Sequence, residues 1–448
     1  VRSLIINKKF FVIFTHSFII NQWSEMEYFN SEYFVYKNNE LFCEEVAVKE
    51  VISRVGTPVY IYSKKYFTDR YNEFDRAFEL VPHTIFFACK SNFNLSVIKI
   101  FGKLGSGIDV NSEGELFRAL KAGISPDKII FSGVGKTPEE IKLCIEKNLL
   151  MIKAESFQEL QVISDIAGEV GKIAPVSLRV NPDVDAETHP YISTGLAENK
   201  FGINSDSALN ILTHQKNFPN IKFVGMDMHI GSQITSVEPL ISAVEKLAAL
   251  HLKLKNEGIT LEHFDIGGGV GVKYKNERPF QLIELASAIV PTLKKLGSDI
   301  FFEPGRYLTA NAGIFVTKVL YTKKNHSKNF IIVDGAMNDL VRPSMYSAYH
   351  HIQPIEIAEN RNEIIADIVG PVCESSDFLG KNRKMLDCLG GEYLSVMSAG
   401  AYGMVMSSNY NGRRRPAEVL VDGNKFHLIR SRETFEHLIY DEENLLIE

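Results

Sequence analysis

The sequence predicts an α/β fold, a (β/α)8 TIM-like barrel, followed by a C-terminal β-rich domain of barrel or sandwich type. Three observations carry this. From about residue 80 to 310, short apolar runs alternate with Gly- or polar-rich turns and helix-length amphipathic stretches, the pattern of parallel βα units. Eight such runs are present, at 84–89, 107–110, 128–131, 150–154, 174–180, 223–229, 263–266 and 299–302, the number that closes into a barrel. After about residue 311 the helical period fades into runs such as Ile331-Ile332-Val333 and Val419-Leu420-Val421, separated by Gly and Asn turns.

The elements follow in order. With 45% apolar and 23% charged residues over 448 positions, the chain is too rich in core formers to be disordered. Residues 1–24 contain no acid, and the apolar stretch behind Lys8 and Lys9 is broken by Thr15-His16-Ser17. It falls short of the ~20 residues that span a bilayer and has no clear small-residue cleavage site. Residues 1–25 are therefore expected to be an upstream extension outside the fold, with a transit peptide as the alternative. Residues 26–60 are expected to form strands packing with the β domain, 61–310 the barrel, and 311–448 the β domain.

Charge and cysteine usage exclude several classes. Against 55 Asp and Glu stand 49 Lys and Arg, a formal charge of -6, which gives no field for collecting a polyanion, so no nucleic-acid partner is expected. Arg413-Arg414-Arg415, ahead of Pro416, reads as a solvated turn. The five scattered cysteines form no C-x-x-C pair, so neither a disulfide framework nor a metal site is indicated, and a cytoplasmic location fits. Gly135-Lys136-Thr137 lacks the first glycine of a P-loop, Ile130 standing there. The run from Gly267 to Gly271 has Val272 where a dinucleotide fingerprint needs its last glycine. Asn181, Asp183 and Asp185 open like a calcium loop, but Ala186 and Ile192 replace its glycine and closing glutamate.

Chemistry is expected at the carboxyl ends of the strands. Lys90 follows the most apolar run, Ile85 to Cys89, where desolvation is expected to lower its pKa and leave a neutral amine fit for Schiff-base chemistry; a solvent-facing lysine is the plainer alternative. His229-Ile230-Gly231-Ser232 follows strand six and Gly267-Gly268-Gly269 strand seven, offering an imidazole, a hydroxyl and backbone amides that could ring a phosphate. Glu303-Pro304-Gly305-Arg306 follows strand eight, and a buried carboxylate there could hold a pyridinium nitrogen.

These segments carry a resemblance. Phe87 to Asn92, Arg179 to Pro182 with Thr188-His189-Pro190 and Lys200-Phe201-Gly202, His229 to Gln233, Asp265 to Gly269, Glu303 to Arg306, Gly370 to Ser375 and Ala401-Tyr402-Gly403 together resemble the diaminopimelate decarboxylases. These are lysine-forming members of the alanine-racemase-like, fold type III pyridoxal-phosphate enzymes, and the likeness runs from Met26 to the end.

The resemblance implies decarboxylation of meso-2,6-diaminopimelate to L-lysine and CO2, with pyridoxal 5'-phosphate carried on Lys90. It implies that His229 stacks on the ring and Glu303 faces its nitrogen, with Asp109 near the lysine. The phosphate would fall to Ser232, Gly267, Gly268 and Gly269, with Pro304, Gly305, Arg306 and Tyr402 completing the cofactor site. Arg306, Arg342, Tyr346, Glu374 and Tyr402 would bind substrate, the arginines gripping carboxylate in a fork. Members of the family are homodimers in which Cys373 and Glu374 reach the other subunit's site, and Cys373 would be the proton donor. An ornithine-, arginine- or polyamine-directed decarboxylase, a non-catalytic regulatory homologue and a racemase are the rivals. The regulator would be expected to have lost Lys90, Glu303 or Cys373, and the racemase to carry Arg at the position of Glu303.

Overall fold

The computed structural model describes residues 28–186, 194–196, 199–326 and 328–447. The extension expected at 1–25 and the Thr188-His189-Pro190 motif lie outside them. Eight parallel strands run in sequence: β1 (His83–Ala88), β2 (Gly107–Val110), β3 (Ile129–Phe131), β4 (Met151–Ala154), β5 (Ala174–Asn181), β6 (Ile221–Asp227), β7 (His263–Asp265) and β8 (Asp299–Phe302). Each pairs with the next, and β8 returns to β1 through Phe302 opposite Ile85, which closes the barrel.

Side chains alternate across each strand, so one face of every strand fills the barrel. Phe86, Ile130, Met151, Val224 and Phe301 form an apolar plug. Two positions further along come Ser132 just past β3, Lys153 within β4 and Glu303 just past β8, so the next layer is polar. A bulge between Phe223 and Gly225 shifts the register of β6, and both Val224 and Asp227 turn inward. Side-chain caps start the outer helices: Ser112 accepts from Glu115 N, Ser156 from Glu159 N, and Thr137 forms a reciprocal box with Glu140. The last of these explains the failed P-loop. Lys136 is buried and donates to Gly133 O, Lys153 O and Glu159.

The second domain is built on β9 (Gly313–Asn325), which pairs antiparallel with β10 (Lys328–Val333), β11 (Tyr393–Val396) and an early strand, Val59–Ser63. That early strand also pairs in parallel with β12 (Ala417–Asp422). It belongs to the β sheet along its whole length, and the first helix of the barrel begins at Lys64. The sheet therefore gives way to the barrel at residue 63, three residues later than the sequence reading placed the boundary. Leu41 N donates to Ile355 O and Phe29 N to Gln353 Oε1, which ties the amino-terminal hairpin to the same domain. Arg413 and Arg415 are not simply solvated: Arg413 donates to Asn338 Oδ1 at 2.9 Å and Arg415 to Glu433 Oε1 at 2.6 Å. Among the described residues no helix is long and apolar enough to cross a membrane, and no cluster of potential metal ligands occurs.

Candidate active site

A cavity of about 470 Å³ lies where the carboxyl ends of the strands face the β domain. The barrel supplies Lys90, Arg179, Asp227, His229, Ser232, Glu303 and Arg306, and the β domain supplies Arg342, Tyr346, Tyr349 and Tyr402.

Lys90 sits in a short 3-10 turn, Cys89–Ser91, just past β1. Its side chain keeps 38% exposure toward the cavity, and Nζ lies 3.7 Å from Asp109 Oδ2. That oxygen is buried without a hydrogen-bond partner, while Oδ1 accepts from Ser132 Oγ at 2.5 Å. The expectation of a lowered amine pKa is corrected. Burial does pull Lys90 down, but Asp109 first, then Tyr402 and Glu303, outweigh it and hold the amine above its ordinary value. Asp109 is itself pushed up to about 6 by burial and by the Glu303 charge, against the pull of Lys90 and Lys153.

Beneath lies a group that sequence reasoning missed. Lys153, 1% exposed, donates to Asp265 Oδ2 at 2.5 Å and to Glu303 Oε1, and stands 3.6 Å from Asp227 Oδ2. The available signal was a lysine interrupting an otherwise apolar strand, Met151–Ala154.

Burial, and then the charges of Lys90, Arg179 and Lys153, hold the His229 imidazole well below its ordinary pKa, so it is neutral. Its Nδ1 accepts from Gly268 N at 3.2 Å. Gly267 N donates to Asp265 Oδ1 at 2.7 Å. The amides of Gly267 and Gly268 are thus committed within the protein, which corrects the expectation that they are free donors for a phosphate. Their glycines answer a packing need: a Cβ would come within 2.3 Å of Met228 O at Gly267 and of Glu303 O at Gly268. At Gly269, with φ +108°, it would meet Gly231 O at 2.7 Å.

After β8, Pro304 O accepts from Ala88 N, and Gly305 precedes the helix Arg306–Thr309. A Cβ on Gly305 would touch Ala88 Cβ and Ser91 Cβ at 3.1 Å, so the turn sits directly against the Lys90 loop. Arg306 donates through Nε and Nη2 to Ser232 Oγ, both at 3.1 Å, and through Nη1 to Tyr274 Oη at 2.8 Å, and its guanidinium lies 4.8 Å from the Tyr402 ring centre. Tyr402 has φ +54°, a left-handed conformation rare for an aromatic residue, and its amide donates to Ser91 O. Arg342 opens the short helix Arg342–Tyr346, and its Nη1 donates to His350 Nε2 at 2.9 Å. Its guanidinium lies 4.9 Å from the ring of Tyr274, the second missed residue. Burial raises the Tyr274 phenol, but Arg306 and Arg342 outweigh it and leave it below its ordinary value.

Two expected residues are elsewhere. Cys373 is exposed, with its amide donating to Asn411 Oδ1, and the exposed Glu374 accepts from Tyr410 Oη and Ser376 Oγ. Neither lines the cavity of this chain.

Residues 64–310, more than half of the chain, match the family model described as pyridoxal-dependent decarboxylase, pyridoxal binding domain. A diaminopimelate decarboxylase of Haemophilus influenzae is 50% identical over 407 residues, 91% of this chain and 98% of that protein. One from Aquifex aeolicus is 45% identical over 408 residues, 91% of this chain and 96% of its own. The structure of the Helicobacter pylori diaminopimelate decarboxylase complexed with L-lysine superposes with a TM-score of 0.86 at 42% identity, covering 89% of this chain and all of that one. A lysine/ornithine decarboxylase from Vibrio vulnificus, at 19% identity and TM-score 0.74, shares the fold. With relatives this similar along nine-tenths of its length, the chain belongs to the diaminopimelate decarboxylase family of pyridoxal-dependent decarboxylases.

Proposed function

We propose that this chain decarboxylates meso-2,6-diaminopimelate to L-lysine and CO2 with pyridoxal 5'-phosphate held on Lys90, working in the cytoplasm as a homodimer whose two active sites are shared. The observation that carries the reading is a single cavity in which a lysine amine meets a buried, unpartnered carboxylate oxygen while two arginines enter from different domains.

The residues present fit the cofactor. Lys90 is open to the cavity, Glu303 offers a carboxylate and His229 a neutral ring, while Ser232 and Arg306 supply donors for a phosphate. When bound, pyridoxal phosphate supplies a protonated aromatic ring that accepts the electron pair left as CO2 departs.

The remaining work falls to the chain. Lys90 Nζ is the tether, and Asp109 keeps it in the cationic form until it reacts. Glu303, with Oε1 taken by Lys153, has its other oxygen for the ring nitrogen. His229, being uncharged, can lie against the ring without opposing its positive charge. Arg306 and Arg342 grip carboxylate as planar forks, with Tyr346 and Tyr402 closing the pocket around the carbon chain. Glu374 and Cys373 come from a second copy, the carboxylate for the distal ammonium and the thiol Sγ to deliver the proton that replaces CO2.

Release of CO2 from meso-diaminopimelate and from ornithine, measured side by side on the purified protein, tests the assignment. Clear preference for diaminopimelate is expected. Preference for ornithine would overturn the substrate, and no release from either would overturn the activity.

A further inference from the structure

One buried charge has no task in the reaction as described. Lys153 Nζ gathers Asp227 from β6, Asp265 from β7 and Glu303 from just beyond β8 around a single ammonium. A buried lysine needs a partner, yet one carboxylate would neutralise it, so the other two leave this layer of the barrel with excess negative charge. The three acids are not equivalent. Asp227 and Glu303 both line the cavity, but Asp227 Oδ1 is spent on Ser177 Oγ and Asp265 Oδ1 on Gly267 N, whereas the contact of Glu303 with Lys153 uses Oε1 and leaves its other oxygen. Around the set stand Lys90, Asp109 and Arg179, with His229 neutral. Burial, and then the Glu303 charge, push Asp265 up to about 8 against the pull of Lys153, and burial raises Asp227 too, so the set resists carrying its full negative charge.

We infer that Lys153 is a positioning residue for Glu303: it pins one carboxylate oxygen and offsets the charge of the cluster, so that the other oxygen would meet the cofactor's ring nitrogen as an acceptor. This rests on, and deepens, the reading that the cavity holds pyridoxal phosphate on Lys90. Without the ammonium, like charges would be buried in contact and a further proton must enter the set. A proton on Glu303 turns an acceptor into a donor, and a protonated ring nitrogen then faces another hydrogen.

The test needs no turnover. Affinity of the full-length protein for pyridoxal phosphate, read from its visible absorption without substrate, is titrated against pH for the wild type, Lys153→Met, Asp265→Asn and the double variant. The double variant removes a charge of each sign and guards against misfolding. Asn can still accept from Gly267 N, its NH2 replacing the oxygen that faced Lys153; with the ammonium kept and a negative charge gone, the low-pH limb of Asp265→Asn alone should stay or move down. Both variants lacking Lys153 should lose affinity at the acid side first, their low-pH limb moved up by about one pH unit or more, which is about tenfold in affinity at fixed pH. A structural ion pair alone would lower affinity equally at every pH or not at all, and profiles parallel to the wild type would overturn the inference. So would loss of soluble protein in both, with Asp265→Asn alone soluble. Should the wild type itself gain no visible band, and borohydride fix no label at Lys90, the reading of the cavity fails and this inference falls with it; a labelled wild type with unshifted variants sinks the inference alone.

Discussion

The barrel wall and the exposed loop of the β domain treat their functional side chains in opposite ways. Asp109 lies within a strand of the closed parallel sheet, and Lys90, His229 and Glu303 follow within two residues of the ends of theirs, so the paired strands hold them close to fixed backbone. Cys373 and Glu374 lie exposed between the strands Glu363–Val369 and Phe378–Leu386, outside the cavity of their own chain. A closed sheet can preorganise a cofactor site within one chain. A loop of this kind can take part only by meeting another surface, so on the proposed roles the two halves of the chemistry would depend differently on assembly.

The largest expected effect tests that division directly. On the proposed roles, Lys90→Ala would remove the tether and Cys373→Ala the proton donor, and each alone should lower kcat by ~10³-fold or more. Mixed under conditions of subunit exchange, the two inactive proteins should recover up to about a quarter of wild-type activity, because random pairing puts one intact site in half of the dimers. No recovery after exchange has been demonstrated by mass or fluorescence would mean that each chain finishes its own site, and the contrast between wall and loop would disappear.

A smaller effect separates the loop from the rest of its domain. Arg342 belongs to the β domain yet already faces the cavity, anchored by His350 within the same chain. Arg342→Lys keeps the charge but loses the fork, at a cost of about 1.5–3 kcal/mol for a charge-assisted bond, so KM for diaminopimelate should rise ~10- to 100-fold with kcat changed less. An unchanged KM in steady-state assays would remove the β domain of the same chain from substrate binding.

How far the sequence revealed all this also differs between regions. The eight strands were legible because each βα unit declares itself locally, by an apolar run and an amphipathic stretch, and all eight lie within a few residues of their expected positions. Lys153 was not legible, since a lysine in a strand reads the same whether it faces water or the barrel interior. Its partners come from three other strands and are brought to it only when the sheet closes. The charge state of Lys90 was misread because the apolar run before it argues for desolvation, and although the resemblance places Asp109 near the lysine, nothing in sequence gives the 3.7 Å approach that lets its charge outweigh burial. The amides of Gly267 and Gly268 looked available because nothing in a glycine run tells that Asp265 and His229 will occupy them.

The smallest effect concerns Asp109, which supports Lys90 at the expense of the fold. Its folded pKa of about 6 exceeds the 3.8 of a free aspartate, chiefly through burial. Ionising it is therefore free of penalty below about pH 3.8, increasingly costly between there and pH 6, and fully costly above. Asp109→Asn should leave the protein unfolding at the same or a slightly higher temperature at neutral pH, since Asn can still accept from Ser132 Oγ. The same change removes the leading contribution that raises the Lys90 amine, so capture of pyridoxal phosphate, followed by borohydride labelling of Lys90, should shift to lower pH. A thermal melt lowered by several degrees would show that Asp109 is retained for stability, and a labelling profile that does not move would show that Lys90 takes its charge state from Glu303 and Tyr402 instead. The expected pair of results, stability kept and amine displaced, is what a strand-end carboxylate held for chemistry produces, and no counterpart is expected at Glu374, whose exposed carboxylate carries no burial cost to recover.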